Sequence, residues 1–137
     1  MDFAAQMRVG SLEMLAAIAA ATLVIAKLRL PTLRDLAPLR LALEINEQGA
    51  LRRIEAATPL VVGRSSQADV TLSDPEVSRT HARFESSDGV VYLNDLRSRN
   101  GTFLNGRRID DAIEVRPGDH IDVGNARMTL VRQESWT

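Results

Sequence analysis

Three short polar segments of this chain concentrate groups that can grip an oxyanion. They are Gly63-Arg64-Ser65-Ser66, Val77-Ser78-Arg79-Thr80-His81 and Leu96-Arg97-Ser98-Arg99-Asn100-Gly101-Thr102. Together they supply Arg64, Arg79, Arg97 and Arg99, several hydroxyls and Asn100. No acid falls inside them, although Asp74, Glu76 and Asp95 are close by. A dianionic phosphate needs planar guanidinium forks, hydroxyl donors and backbone N–H groups. The expected chemistry is recognition without catalysis. The sequence has no G-x-x-x-x-G-K-[ST] phosphate loop and no G-x-S-x-G elbow. Two His without any Cys make a poor metal set. The acids Asp110, Asp111 and Glu114 do not have the spacing of a calcium loop. No cofactor and no metal are therefore expected.

These segments need elements to hold them, and the C-terminal hundred residues read as strands. Leu39, Leu41, Leu43 and Ile45 alternate with Arg40, Ala42 and Glu44, the period-two pattern of a half-buried strand. Gln48-Gly49 turns the chain into Ala50–Ala56, and Pro59–Val62 forms a third run. Asp69–Leu72, His81–Glu85, Val90–Leu93, Thr102–Leu104, His120–Val123 and Ala126–Val131 follow. Asp88-Gly89, Asn100-Gly101, Asn105-Gly106, Pro117-Gly118 and Gly124-Asn125 separate them. Such dipeptides favour turns because their residues tolerate positive φ. Many short strands with frequent turns predict an all-β sandwich or barrel. The expected core is Leu41, Leu43, Val61, Val70, Leu72, Ala82, Phe84, Val91, Leu93, Phe103, Ile121, Val123, Met128 and Leu130. His120 should face solvent. In a sandwich, alternate strand ends gather at one edge, which lets the three polar segments converge.

The N-terminal part has a different composition. Met14–Ala26 carries no charge, Gly or Pro and predicts an apolar α-helix within residues 1–30. Pro31 ends it, and residues 31–38 form a Pro-bounded connector. The uncharged run is shorter than the roughly 20 residues a bilayer needs. Residues 12–30 suffice if Glu13, Lys27 and Arg29 lie at the interfaces, since long basic side chains reach outward from helix ends. Two readings stay open: a single-pass membrane anchor, or a helix buried on a partner. If it spans, Lys27, Arg29, Arg34 and Arg40 on its C-terminal side place the following domain in the cytoplasm. The formal net charge of -1 gives no global pull toward nucleic acid. Lys27 is the only Lys, and Arg richness by itself decides nothing.

Gly63-Arg64, Ser78-x-x-His81 and Asp95 to Gly106 (DLRSRNGTFLNG) are in the order and spacing of the forkhead-associated (FHA) domain. The chain resembles that family over 39–132, leaving 133–137 as a tail. The resemblance implies a β-sandwich of about eleven strands that binds phosphothreonine in partner proteins. Arg64, Ser78 and Arg79 then contact phosphate, and Asn100 bonds the peptide main chain. Arg99 stands where members often carry Thr, and either supplies a further charged donor or points to solvent. His81 braces the Ser78 loop, and Gly63 and Gly101 serve tight turns. The implied partner is a threonine-phosphorylated protein, either a Ser/Thr kinase substrate or the kinase itself. A phosphate-independent scaffold subunit of a membrane assembly is the alternative.

Overall fold

The computed structural model describes residues 37–135, so the expected N-terminal helix and Trp136 lie outside the described residues. The described part is two antiparallel-dominated sheets face to face. The first sheet contains β1 (Leu39–Glu47), β2 (Ala50–Ala57), β7 (Thr102–Leu104), β8 (Arg107–Arg108), β10 (His120–Val123) and β11 (Ala126–Ser135), in the order β2-β1-β11-β10-β7-β8. The second contains β3 (Leu60–Gly63), β4 (Val70–Thr71), β5 (Ala82–Ser87), β6 (Val90–Asp95) and β9 (Ile113–Val115), in the order β4-β3-β5-β6-β9. No α-helix occurs among the described residues.

Alternation sets which face each strand buries. Leu39, Leu41, Leu43 and Ile45 are buried while Arg40 is exposed. Leu43 pairs with Leu130 and Ile45 with Met128 across β1 and β11. Ala42 is buried as well, beside a register shift that falls between it and Leu43. From the second sheet Val62, Phe84, Val91 and Leu93 meet this face, each at 0% exposure. Two of the expected core residues sit elsewhere: Val61 and Phe103 are only half-buried. In β3 the inward residues are Leu60 and Val62, and in β7 they are Thr102 and Leu104. Val77, Ile109 and Val115 complete the core from short or irregular segments.

Turn chemistry is as the dipeptides suggest in three hairpins. Gln48-Gly49, Asp88-Gly89 and Asn105-Gly106 have positive φ at both residues, the type I′ requirement. Asn100-Gly101 and Gly124-Asn125 differ, with only the glycine at positive φ. The first ends a loop at the site edge, and the second is the two-residue hairpin between β10 and β11, with glycine at the first central position as a type II′ turn requires. Strand β11 runs to Ser135, beyond the expected strand end at Val131 and the expected domain end at Arg132.

Candidate functional site

Three backbone contacts pull the loop after β3 onto the loop before β5. Arg64 N–H donates to Ser78 C=O at 3.0 Å, Ser65 N–H to Arg79 C=O at 3.1 Å, and His81 N–H to Val62 C=O at 2.8 Å. The approach is too close for any side chain at Gly63, where a Cβ would sit 2.0 Å from the Arg79 carbonyl oxygen. Gly63 is therefore needed for backbone contact, and not for the tight turn expected from sequence, since its φ is not positive.

His81 joins this pair to the third loop. It is fully buried. Its Nδ1 accepts the Ser78 N–H at 3.0 Å, and its Nε2 pairs with the Gly101 carbonyl at 2.8 Å. A carbonyl only accepts, so Nε2 carries the ring proton. Thus one side chain ties Ser78 to the Asn100-Gly101 step.

The groups expected to meet phosphate lie on this braced rim. Arg64 is exposed, and its Nε–H donates to Val77 C=O at 3.1 Å. That bond engages the inner guanidinium edge, and the terminal nitrogens have no partner among the described residues. Ser78 Oγ accepts the Arg99 N–H at 3.0 Å, so its own O–H remains available. Arg79 and Arg99 are exposed, and neither guanidinium has a hydrogen bond or ion pair among the described residues. Arg97 takes φ 54°, which turns the chain at the loop tip.

Asn100 has a partner that the sequence did not reveal. Its Nδ2 donates to the Glu76 carbonyl and to Glu76 Oε2, both at 2.8 Å. Two acceptors fix the amide orientation, and Oδ1 has no partner among the described residues. Glu76, Asn100, Phe103, Gly124 and Asn125 line a cleft of about 410 Å³ beside the rim. A peptide that accepts a bond from Asn100 must displace the Glu76 carboxylate; one that donates to Oδ1 leaves it in place.

Two more acids hold loops. Asp95 accepts Ser98 N–H at 3.1 Å, Ser98 O–H at 2.6 Å and Thr102 O–H at 2.6 Å, and Ser98 Oγ in turn accepts Gly101 N–H at 2.9 Å. Partial burial favours the neutral acid. The bonds from Ser98 and Thr102 outweigh it, and the carboxyl is held below its ordinary value of 3.8. Asp74 is buried, accepting Glu76 N–H at 3.0 Å and Asn125 N–H at 2.6 Å. Those two amides, with Glu76 the larger influence, lower its pKa as well. Both acids carry depressed folded-state values. Their stabilisation is present above about pH 4 and fades as pH falls through the folded pKa. Acid titration should loosen the Asp95 loop, and Asp95→Ala should cost about 2 kcal/mol, read as a lower urea midpoint at pH 7. The difference between the two proteins should shrink below pH 4. A constant difference from pH 7 to pH 2 would refute this account.

Among the described residues no cluster of His, Asp and Glu could hold a metal ion.

The sequence profile of the FHA domain family matches residues 60–124. The glycogen accumulation regulator GarA of Mycolicibacterium smegmatis is 35% identical over 69 residues, which is 50% of this chain and 43% of that protein. A structure solved in a study of phosphothreonine-dependent FHA domain interactions aligns with TM-score 0.60 and 26% identity, over 66% of this chain and 96% of its own. Mycobacterium tuberculosis EmbR in complex with a low-affinity phosphopeptide aligns with TM-score 0.61 and 26% identity, over 88% of this chain and 31% of its own. The chain spans less than half the length of the curated relatives it matches.

Proposed function

We propose that this chain is an FHA domain, the family whose profile matches residues 60–124, and that the braced rim binds a phosphothreonine segment of a partner protein. FHA domains are binding modules and not enzymes. One observation carries the reading. The Arg64 and Ser78 side chains each make a single hydrogen bond to backbone, and their remaining donors have no partner among the described residues, on loops locked together by His81. Arg79 is beside them and Asn100 lies at the other side of the rim. A site organised before binding loses less entropy when ligand arrives.

In this reading Arg64, Ser78 and Arg79 hold the phosphate, Arg99 adds a donor, and Asn100 fixes the peptide main chain. The threonine methyl adds about 0.8 kcal/mol if buried, close to fourfold over phosphoserine. The partner is a substrate of a Ser/Thr kinase or the kinase itself. Calorimetric titration with phosphothreonine, phosphoserine and unphosphorylated forms of one peptide tests this. The expected order is phosphothreonine, phosphoserine, then no measurable binding. Equal affinity for phosphorylated and bare peptide would turn the reading toward a phosphate-independent scaffold.

The proposal extends to location, with the domain cytoplasmic and tethered through 12–30. The uncharged run and the flanking Lys27, Arg29 and Arg34 motivate it. Among the described residues no helix is long and apolar enough to cross a membrane. The full chain should stay with membranes through an alkaline wash. Release into the soluble fraction would count against a tether.

A further inference from the structure

Arg108 stands outside every motif in the sequence, yet the fold brings it to the rim. The Asn105-Gly106 turn folds β8 back on β7, so that Arg108 pairs with Phe103. Its side chain then reaches Gly101. A Cβ on Gly101 would lie 2.8 Å from Arg108 Nε, 3.1 Å from Cζ and 3.3 Å from Nη2. The guanidinium thus rests against the backbone immediately after Asn100, in room that only a glycine leaves.

This arginine is exposed, and its side chain has no hydrogen bond or ion pair among the described residues. Asp110 and Asp111 follow closely in sequence without pairing to it. By contrast Arg116, Arg127 and Arg132 each hold a carboxylate. Arg108 is located by packing, with its donors open. It also lines a groove of about 510 Å³ whose walls include the apolar Leu104, Ile109 and Ile113 and the acids Asp110 and Asp111. On Asn100 itself the amide is taken by the acid Glu76. The cation beside Gly101 therefore gives the two flanks of this step opposite charge.

We propose that Arg108 is a specificity residue that reads an anionic side chain of the bound peptide, a carboxylate or a second phosphate, close to the phosphothreonine. The proposal rests on the phosphothreonine reading above. A planar guanidinium can take either group through two parallel bonds. Because neither the anion nor Arg108 is deeply buried, the gain is moderate.

The test uses the full chain and an alanine-based phosphothreonine peptide. Aspartate or phosphoserine replaces alanine at each flanking position in turn. At one position an anion should raise affinity roughly threefold to tenfold over alanine. R108Q should bring that ratio close to one, and R108K should retain part of it. A gain from phosphoserine alone assigns a second phosphate as the ligand, and a gain from both assigns anionic charge generally. An anion preference that survives R108Q overturns the proposal, as does phosphothreonine-dependent binding with no anion preference at any position. Either result leaves the phosphothreonine reading intact. Loss of all phosphate dependence in the wild type would overturn both.

Discussion

Arg64→Ala is expected to weaken phosphothreonine-peptide binding roughly ten- to a hundredfold. Hydrogen bonds to charged partners contribute about 1.5–3 kcal/mol each, and tenfold corresponds to about 1.4 kcal/mol. The protein's own use of this side chain is slight: one Nε–H bond to Val77 C=O at an exposed position. Its unfolding midpoint should therefore stay near wild type. Arg64→Lys should fall between the two, because an ammonium keeps the charge and loses the fork. The phosphate contribution has a second signature. Added salt screens charge, so the wild type should lose more affinity than Arg64→Ala between low and physiological salt. A full-affinity Arg64→Ala protein would remove Arg64 from the site.

Much of the architecture follows from pattern. Strand β1 was legible because its alternation is long and one face is buried. The hairpins at Asp88-Gly89 and Asn105-Gly106 were legible because few dipeptides tolerate two positive φ values. Strands β8 and β9 were not. Arg107 and Arg108 are both exposed on an edge, and β9 buries only Val115, so neither carries alternation. Phe103 misled because an aromatic in a strand suggests core, whereas period two in β7 turns Thr102 and Leu104 inward. Thr102 can be buried there because its hydroxyl donates to Asp95.

The site shows a similar division. Local motifs located Arg64, Ser78, Arg79 and Asn100 on one rim, since loop order in a sandwich decides which ends meet. They could not show that Glu76 takes the Asn100 amide, or that Arg108 covers Gly101. The first joins residues far apart in sequence through loop shape, and the second depends on how the Asn105-Gly106 hairpin lays β8 beside β7. Asp95 left a faint signal: an Asp three residues before Ser98 is a common way to cap a turn. Its bond to Thr102 depends on β7 returning beside the loop, which no local spacing encodes.

His81→Phe should destabilise the domain by about 2–6 kcal/mol. Phenylalanine fills similar space but leaves the Ser78 N–H and the Gly101 C=O without partners in a dry interior, and each orphan costs about 1–3 kcal/mol. That is a large share of the 5–15 kcal/mol typical of a small domain. The loss also falls on function. Among the described residues His81 is the only side chain that bonds both the Ser78 amide and the Gly101 carbonyl, so removing it leaves the two sides of the rim tied by the weaker, exposed bonds of Ser78 to Arg99 and Asn100 to Glu76. Binding should weaken even at temperatures where the variant is folded, with faster hydrogen exchange at the Ser78 amide. His81→Asn separates the two contacts. Its Oδ1 can stand in for Nδ1 toward Ser78, while nothing reaches Gly101. Exchange at Ser78 should then stay slow, and stability should lie between wild type and His81→Phe. If His81→Asn and His81→Phe lose equal stability and both expose the Ser78 amide, the brace does not work through these two bonds. The role of His81 would then be packing alone.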